Sequence, residues 1–101
     1  ETKIGLENVE KIASIDGVDC LWIGHFDLTN FLGIPGDFKS DLYLNAINRV
    51  VLAAKSNNKS LGIMVNNKDE LDMYKKLGFN MIAVGTEMSI LGKGVSEILK
   101  Q

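Results

Sequence analysis

Residues 19–24 read Asp19-Cys20-Leu21-Trp22-Ile23-Gly24: four apolar residues in succession with a turn-forming residue on either side. The run is short enough for a strand and lacks the apolar and polar alternation of a strand with one wet face. It predicts a strand buried on both faces, the habit of parallel sheets. Ser60 to Val65 and Met81 to Val84 repeat the pattern.

Helical periodicities lie between these runs. Leu6, Val9 and Ala13, with Ile12 beside them, predict one helix from Lys3 to Ile15 that ends near Asp16-Gly17. Asp27 to Leu32 has room for a single helical turn, which Asp27 is placed to cap. Gly33-Ile34-Pro35-Gly36-Asp37 is then a loop, because proline fixes φ and removes a donor. Ser40 or Asp41 caps a longer helix whose face, Ile47, Val50, Val51 and Ala54, continues to about Ser56. Asn67 caps a helix through Lys76 that Gly78 stops, and Thr86 or Glu87 opens a last one with Met88, Leu91, Val95 and Ile98 on one face.

The order is helix, strand, helix, strand, helix, strand, helix, with Glu1-Thr2 read as the end of a further strand. That alternation predicts an α/β fold of parallel βα units. Two architectures fit it: a small doubly wound sheet, or one half of an eight-stranded (β/α)8 barrel. A complete barrel takes roughly 250 residues, and 101 residues make one domain at most. The expectation is a single partial domain over residues 1–101, part of a longer chain. In either architecture chemistry belongs at the carboxyl ends of the strands, here Glu1, Gly24 to Asp27, Val65-Asn66 and Gly85-Thr86.

Composition narrows the partners. Eleven Lys+Arg stand against thirteen Asp+Glu, a net charge of −2, and no basic run is able to neutralise a row of phosphates, so no nucleic acid is expected. No apolar stretch approaches the length of a membrane span and the start has no signal-peptide pattern, so the expected location is cytoplasmic, away from membrane. The single cysteine, Cys20, sits in an apolar run and reads as a small buried hydrophobe. Trp22, Phe26, Phe31, Met64, Met81 and Met88 read first as core packing. The one histidine, His25, lies two residues from Asp27. A catalytic pair would require both to share a face, which holds only on a regular extended backbone.

Several stretches taken together go further. Glu1-Thr2 precedes a helix containing Leu6-Glu7-Asn8-Val9; Gly17-Val18-Asp19 leads into Trp22-Ile23-Gly24 and Asp27-Leu28-Thr29; then come Gly33-Ile34-Pro35-Gly36, Lys59 to Ile63, and Gly78-Phe79 to Val84-Gly85. This succession resembles the C-terminal half of the HpcH/HpaI aldolase family, the metal-dependent (class II) pyruvate aldolases that cleave or form 4-hydroxy-2-oxo acids.

The resemblance implies a TIM (β/α)8 barrel, usually a homo-oligomer, with an enolate of pyruvate stabilised by a divalent cation. Glu1-Thr2 looks like the remainder of the family's Ile-Glu-Thr motif. Gly24-His25-Phe26-Asp27-Leu28-Thr29 looks like its Gly-Pro-x-Asp-Leu-Ser motif, with His25 in place of the usual proline. By that likeness Glu1 and Asp27 are the metal ligands, for Mg2+, Mn2+ or Co2+, since carboxylates, waters and 2-oxo acid oxygens make a hard oxygen shell. Gly24, Phe26 and Asp27 bind substrate, partly through backbone amides, and Met64 forms an apolar wall toward the aldehyde partner. The family's acid/base histidine and substrate-clamping arginine belong to its N-terminal half, so no catalytic side chain beyond the ligands is expected within this chain, and alone it is expected to be inactive. The alternative is a non-catalytic half-barrel module for binding or assembly, with a vestigial metal site.

Overall fold

The computed structural model describes residues 1–100. Its elements run α1 (Lys3–Glu7), α2 (Val9–Ala13), β1 (Cys20–Ile23), α3 (His25–Phe31), α4 (Asp41–Ser56), β2 (Ser60–Val65), α5 (Lys68–Lys76), β3 (Met81–Val84) and α6 (Glu87–Leu99). The three strands form one parallel sheet in the order β1-β2-β3, with Leu21 opposite Leu61 and Ile63 opposite Ile82. Consecutive strands are neighbours and the order never reverses. A doubly wound sheet has a reversal point; a barrel wall does not.

The helices cover one face only. Leu21, Ile23, Leu61, Ile63 and Val65 are at most 7% exposed and pack with Val9, Ala13, Ile47, Val50 and Ala54 of α2 and α4. Removing the side chain of Ile63, fully buried on the central strand, would cost about 3 kcal/mol, as for other large-to-small core changes. The opposite face carries Cys20, Trp22, Gly62, Met64 and Met81, following the period of two. There Trp22 is 47% and Met81 55% exposed. The expectation of strands buried on both faces is therefore corrected: only β2 is buried nearly throughout, because no helix among the described residues covers the second face. Phe26, Phe31 and Met88 likewise lie exposed instead of in the core.

Local signals explain most boundaries. Ser40 accepts from Leu42 N at 3.2 Å and starts α4, Asn67 accepts from Glu70 N at 2.9 Å and starts α5, and Thr86 with Ser89 forms a capping box on α6. Gly78 follows α5 at φ 101°, which a residue with a Cβ resists. The N-terminal segment differs from expectation. The Lys3–Ile15 helix is two helices, because Asn8 leaves helical geometry (φ −105°, ψ 10°) and its Nδ2 donates to the Ile4 carbonyl at 2.9 Å, competing with the ladder. Glu1-Thr2 joins no strand among the described residues; Thr2 instead caps α1, accepting from Gly5 N at 2.9 Å.

Arg49 on α4 holds α2 through both carboxylate oxygens of Glu10, at 2.7 and 3.0 Å. Tyr43 and Tyr74 join α4 to α5 through their hydroxyls, both rings buried. Among the described residues α6 buries no side chain: Met88, Leu91, Val95 and Ile98 are 49 to 84% exposed.

Candidate active site at the carboxyl ends of the strands

The chain leaves β1 at Ile23 and turns directly into α3, with Gly24 as N-cap and its carbonyl accepting from Leu28 N at 2.9 Å. Helix α3 thus starts at His25 and makes about two turns, earlier and longer than the single turn expected from Asp27. Asp27 does not cap it. It sits in the first turn, exposed, where a carboxylate is favoured by the helix dipole. The amides of His25, Phe26 and Asp27 precede the first intrahelical bond and have no helical acceptor.

Thr29 fixes this turn. Fully buried, its hydroxyl donates to the Phe26 carbonyl at 2.6 Å and accepts from Gly36 N at 2.9 Å, while its carbonyl accepts from Ile34 N at 2.9 Å. The Gly33 to Gly36 loop, with both glycines at positive φ, is thereby tied to α3. A Cβ on Gly36 would lie 3.6 Å from the Phe26 ring.

A cleft of ≈ 170 Å³ opens here, lined by Trp22, Ile23, Gly24, His25, Phe26, Asp27 and Met64. Four residues singled out in the sequence, Gly24, Phe26, Asp27 and Met64, therefore share one cavity. Glu1 lines a separate, larger hollow of ≈ 360 Å³ along the free edge of β1, together with Leu6, Cys20 and Val50. The two hollows share Trp22 and Ile23. Glu1 also packs on Gly24: a Cβ there would stand 2.9 Å from Glu1 Oε2 and 3.0 Å from Glu1 Cβ. Glycine at this position makes the space that the Glu1 carboxylate occupies beside the Asp27 cleft.

His25 and Asp27 do not form a pair. Two residues apart on a helix they point to different sides, and among the described residues no hydrogen bond joins them. The imidazole lies 5.1 Å from the Phe38 ring and 6.5 Å from Tyr74, centroid to centroid. Burial holds its pKa below the ordinary histidine value, partly opposed by the Glu70 carboxylate. It is a packed, mainly neutral ring at neutral pH. Burial raises the pKa of the Cys20 thiol, which keeps it protonated and unreactive.

Sequence reasoning missed two contributors, Trp22 and Thr29. Trp22 carried a signal: on a strand its side chain shares a face with position 24, at the chemical end. Thr29 stood in the motif, but its bonds to Phe26 and Gly36 depend on the path of the following loop.

Glu1 and Asp27 bring carboxylates to this strand end, hard oxygen donors of the kind that Mg2+ or Mn2+ takes. Among the described residues no group of three or more His, Cys, Asp or Glu is positioned to hold a metal. Two carboxylates would leave the rest of a cation's shell to water and ligand oxygens, as Mg2+ commonly takes them, and Glu1 packs on Gly24 at this strand end.

A carboxylate-bearing cleft at the carboxyl ends of successive parallel strands is the site arrangement of βα-barrel enzymes. Comparison with known proteins makes the assignment specific: the chain belongs to the HpcH/HpaI aldolase/citrate lyase family, whose model matches residues 1–93. It is 31% identical over its full length to a hydroxypyruvate/pyruvate aldolase of Chromohalobacter salexigens, covering 40% of that protein. It is 34% identical to a 4-hydroxy-2-oxovalerate aldolase of Rhodococcus jostii, with 97% of this chain and 38% of the relative aligned.

Among solved structures, an HpcH/HpaI aldolase/citrate lyase family protein from Burkholderia cenocepacia superimposes with a TM-score of 0.93 at 32% identity, over 98% of this chain and 38% of that one. The fold of these neighbours is a TIM barrel, and the three βα units described above are a portion of its wall. Macrophomate synthase, at 24% identity and a TM-score of 0.84, covers 98% of this chain and 35% of its own and shares the fold. The chain thus spans about two fifths of the length of the relatives it matches. No helix among the described residues is long and apolar enough to cross a membrane.

Proposed function

We propose that this chain is the C-terminal portion of a divalent-metal-dependent aldolase that cleaves or forms 4-hydroxy-2-oxo acids, releasing or consuming pyruvate. The observation that carries the reading is the position of the Glu1 carboxylate in the space left by Gly24, beside the cleft lined by Asp27, Phe26 and Met64. Family membership supports it, as does the naming of relatives as aldolases for 2-oxo acids.

In this reading Glu1 and Asp27 hold the cation, which when bound supplies Lewis acidity toward the oxygens of the 2-oxo acid. The remaining work belongs to the chain's own groups. The amides of Phe26 and Asp27 hold the substrate carboxylate, as N–H groups without helical partners do. Thr29 fixes the turn that carries them, and Phe26 and Met64 exclude water beside the bond that breaks. His25 is a packing residue, and the proton of the hydroxyl is removed by a group outside these 101 residues.

The test is pyruvate release from a 4-hydroxy-2-oxo acid by the native protein. Loss of release on adding a chelator and its return with Mn2+ is the expected result. Cleavage that persists in chelator, with the cation removed, contradicts the reading.

A further inference from the structure

We infer that Phe38 is a positioning residue: its ring, set against both His25 and Phe26, fixes how α3 is turned about its own axis, and so where Asp27 and the amides of the first turn point. The inference rests on the aldolase reading above for what that turn holds, and it adds a residue that lies outside the cleft lining.

Helix α3 has seven residues and buries only Leu28 and Thr29. Both follow Asp27, so their burial anchors the second half of the helix and leaves the first turn to be held by other contacts. His25 and Phe26, consecutive on a helix, project about 100° apart. Phe38 meets both, its ring centroid 5.1 Å from that of His25 and 6.4 Å from that of Phe26. A ring in the angle between two neighbouring side chains resists rotation in either sense, since each sense drives one of them into it. Asp27 is the next residue, so any rotation of the first turn carries its carboxylate along.

Phe38 is itself held. Its ring packs edge-on against Tyr43 at 5.2 Å, and Tyr43 is fully buried with its hydroxyl on that of Tyr74. The backbone beside it is fixed by Asp37, whose N–H donates to the Ile34 carbonyl at 3.0 Å and whose Oδ1 accepts from Lys39 N and Ser40 N at 3.2 and 3.1 Å. Phe26 in turn lies on Gly36, where a Cβ would come 3.6 Å from its ring. The rigidity of the core between α4 and α5 thus reaches the cleft through one side chain. Thr29 ties the backbone of the turn; Phe38 sets the direction of its side chains.

The experiment compares the native protein with Phe38→Ala and with Phe38→Leu, which keeps apolar cover on Tyr43 without a flat ring, while circular dichroism reports the fold. Leu61→Val, toward the amino end of β2 on the helix-covered face, is the control for stability alone. Two readouts need no substrate: hydrogen exchange at the Leu28 amide, which donates to the Gly24 carbonyl at the start of α3, and Mn2+ affinity by paramagnetic resonance of free Mn2+. If the first turn holds its rotation for only a fraction of the time, protection and affinity both fall with that fraction. The expected result is a loss of about tenfold in each for Phe38→Ala and about threefold for Phe38→Leu, with native values in Leu61→Val. Should Phe38→Ala fail to fold, Phe38→Leu decides alone. Native exchange at Leu28 and native Mn2+ affinity in the folded variants overturn the inference and leave the aldolase reading intact, as does an equal loss in Leu61→Val. A native protein that binds no Mn2+ and releases no pyruvate from a 4-hydroxy-2-oxo acid removes the aldolase reading and the inference with it.

Discussion

Replacing Thr29 by valine keeps the shape of the side chain and removes only its hydroxyl. That hydroxyl, on a fully buried residue, donates to the Phe26 carbonyl and accepts from Gly36 N. The Phe26 carbonyl remains in the α3 ladder, so its loss is partial. Gly36 lies in an exposed loop where its N–H can turn to water, so the cost is that of the two hydrogen bonds themselves, about 1–3 kcal/mol at about 0.5–1.5 kcal/mol each. Thr29→Ser does the converse, keeping both bonds and losing one methyl, worth about 0.8 kcal/mol. Valine is therefore expected to destabilise more than serine, by about 1 kcal/mol at the middle of that range. With an m-value of about 2 kcal/mol/M, a loss of 2 kcal/mol moves the urea midpoint by about 1 M. Hydrogen exchange at the Gly36 amide gives the local readout, at least about tenfold faster in Thr29→Val for each 1.4 kcal/mol lost. If Thr29→Val matches or exceeds Thr29→Ser in stability, the two hydrogen bonds do not hold the turn that carries Asp27.

Other consequences are open to measurement. The chain has only two tyrosines, and burial, the main cause, with their contact and the Glu70 charge raises Tyr43, while burial raises Tyr74. Because the folded values exceed the unfolded value of about 10, their contribution is complete below that pH and declines above it. Ultraviolet titration should show phenolate only well above pH 10 and together with unfolding, whereas normal titration with intact circular dichroism would contradict the buried pair. Gly78→Ala places a Cβ at φ 101° and 3.3 Å from Lys55 Cε, for an expected loss of about 1–2 kcal/mol in thermal or urea unfolding. Asp27→Asn leaves an exposed first-turn position able to fold, yet should abolish Mn2+ binding measured by paramagnetic resonance of free Mn2+.

Much of the fold was legible because its signals are local. Ser60 to Val65 is a strand with the bounds its apolar run implied, and Ser40, Asn67, Thr86 and Gly78 mark helix ends by the chemistry of their own side chains or backbones. Asn8 was not legible as a break, since its bond to the Ile4 carbonyl competes with a helical pattern that otherwise continues. The burial of Trp22, Met81 and Met88 was misjudged for a different reason. Apolar character says that a side chain seeks cover, while the cover itself is set by which elements lie on each face. In the candidate site, the positions of Gly24, Phe26, Asp27 and Met64 follow from strand ends, which alternation reveals. The approach of Glu1 to Gly24 depends on how α1 returns along β1, and pattern alone carries no such distance.

The cation site is tested most directly by diffraction from crystals of the native protein soaked with Mn2+ and pyruvate. Anomalous density within bonding distance of carboxylate oxygens of both Glu1 and Asp27, with pyruvate in the cleft beside Phe26, is the predicted result. Density bound elsewhere, or on only one of the two carboxylates, would contradict it.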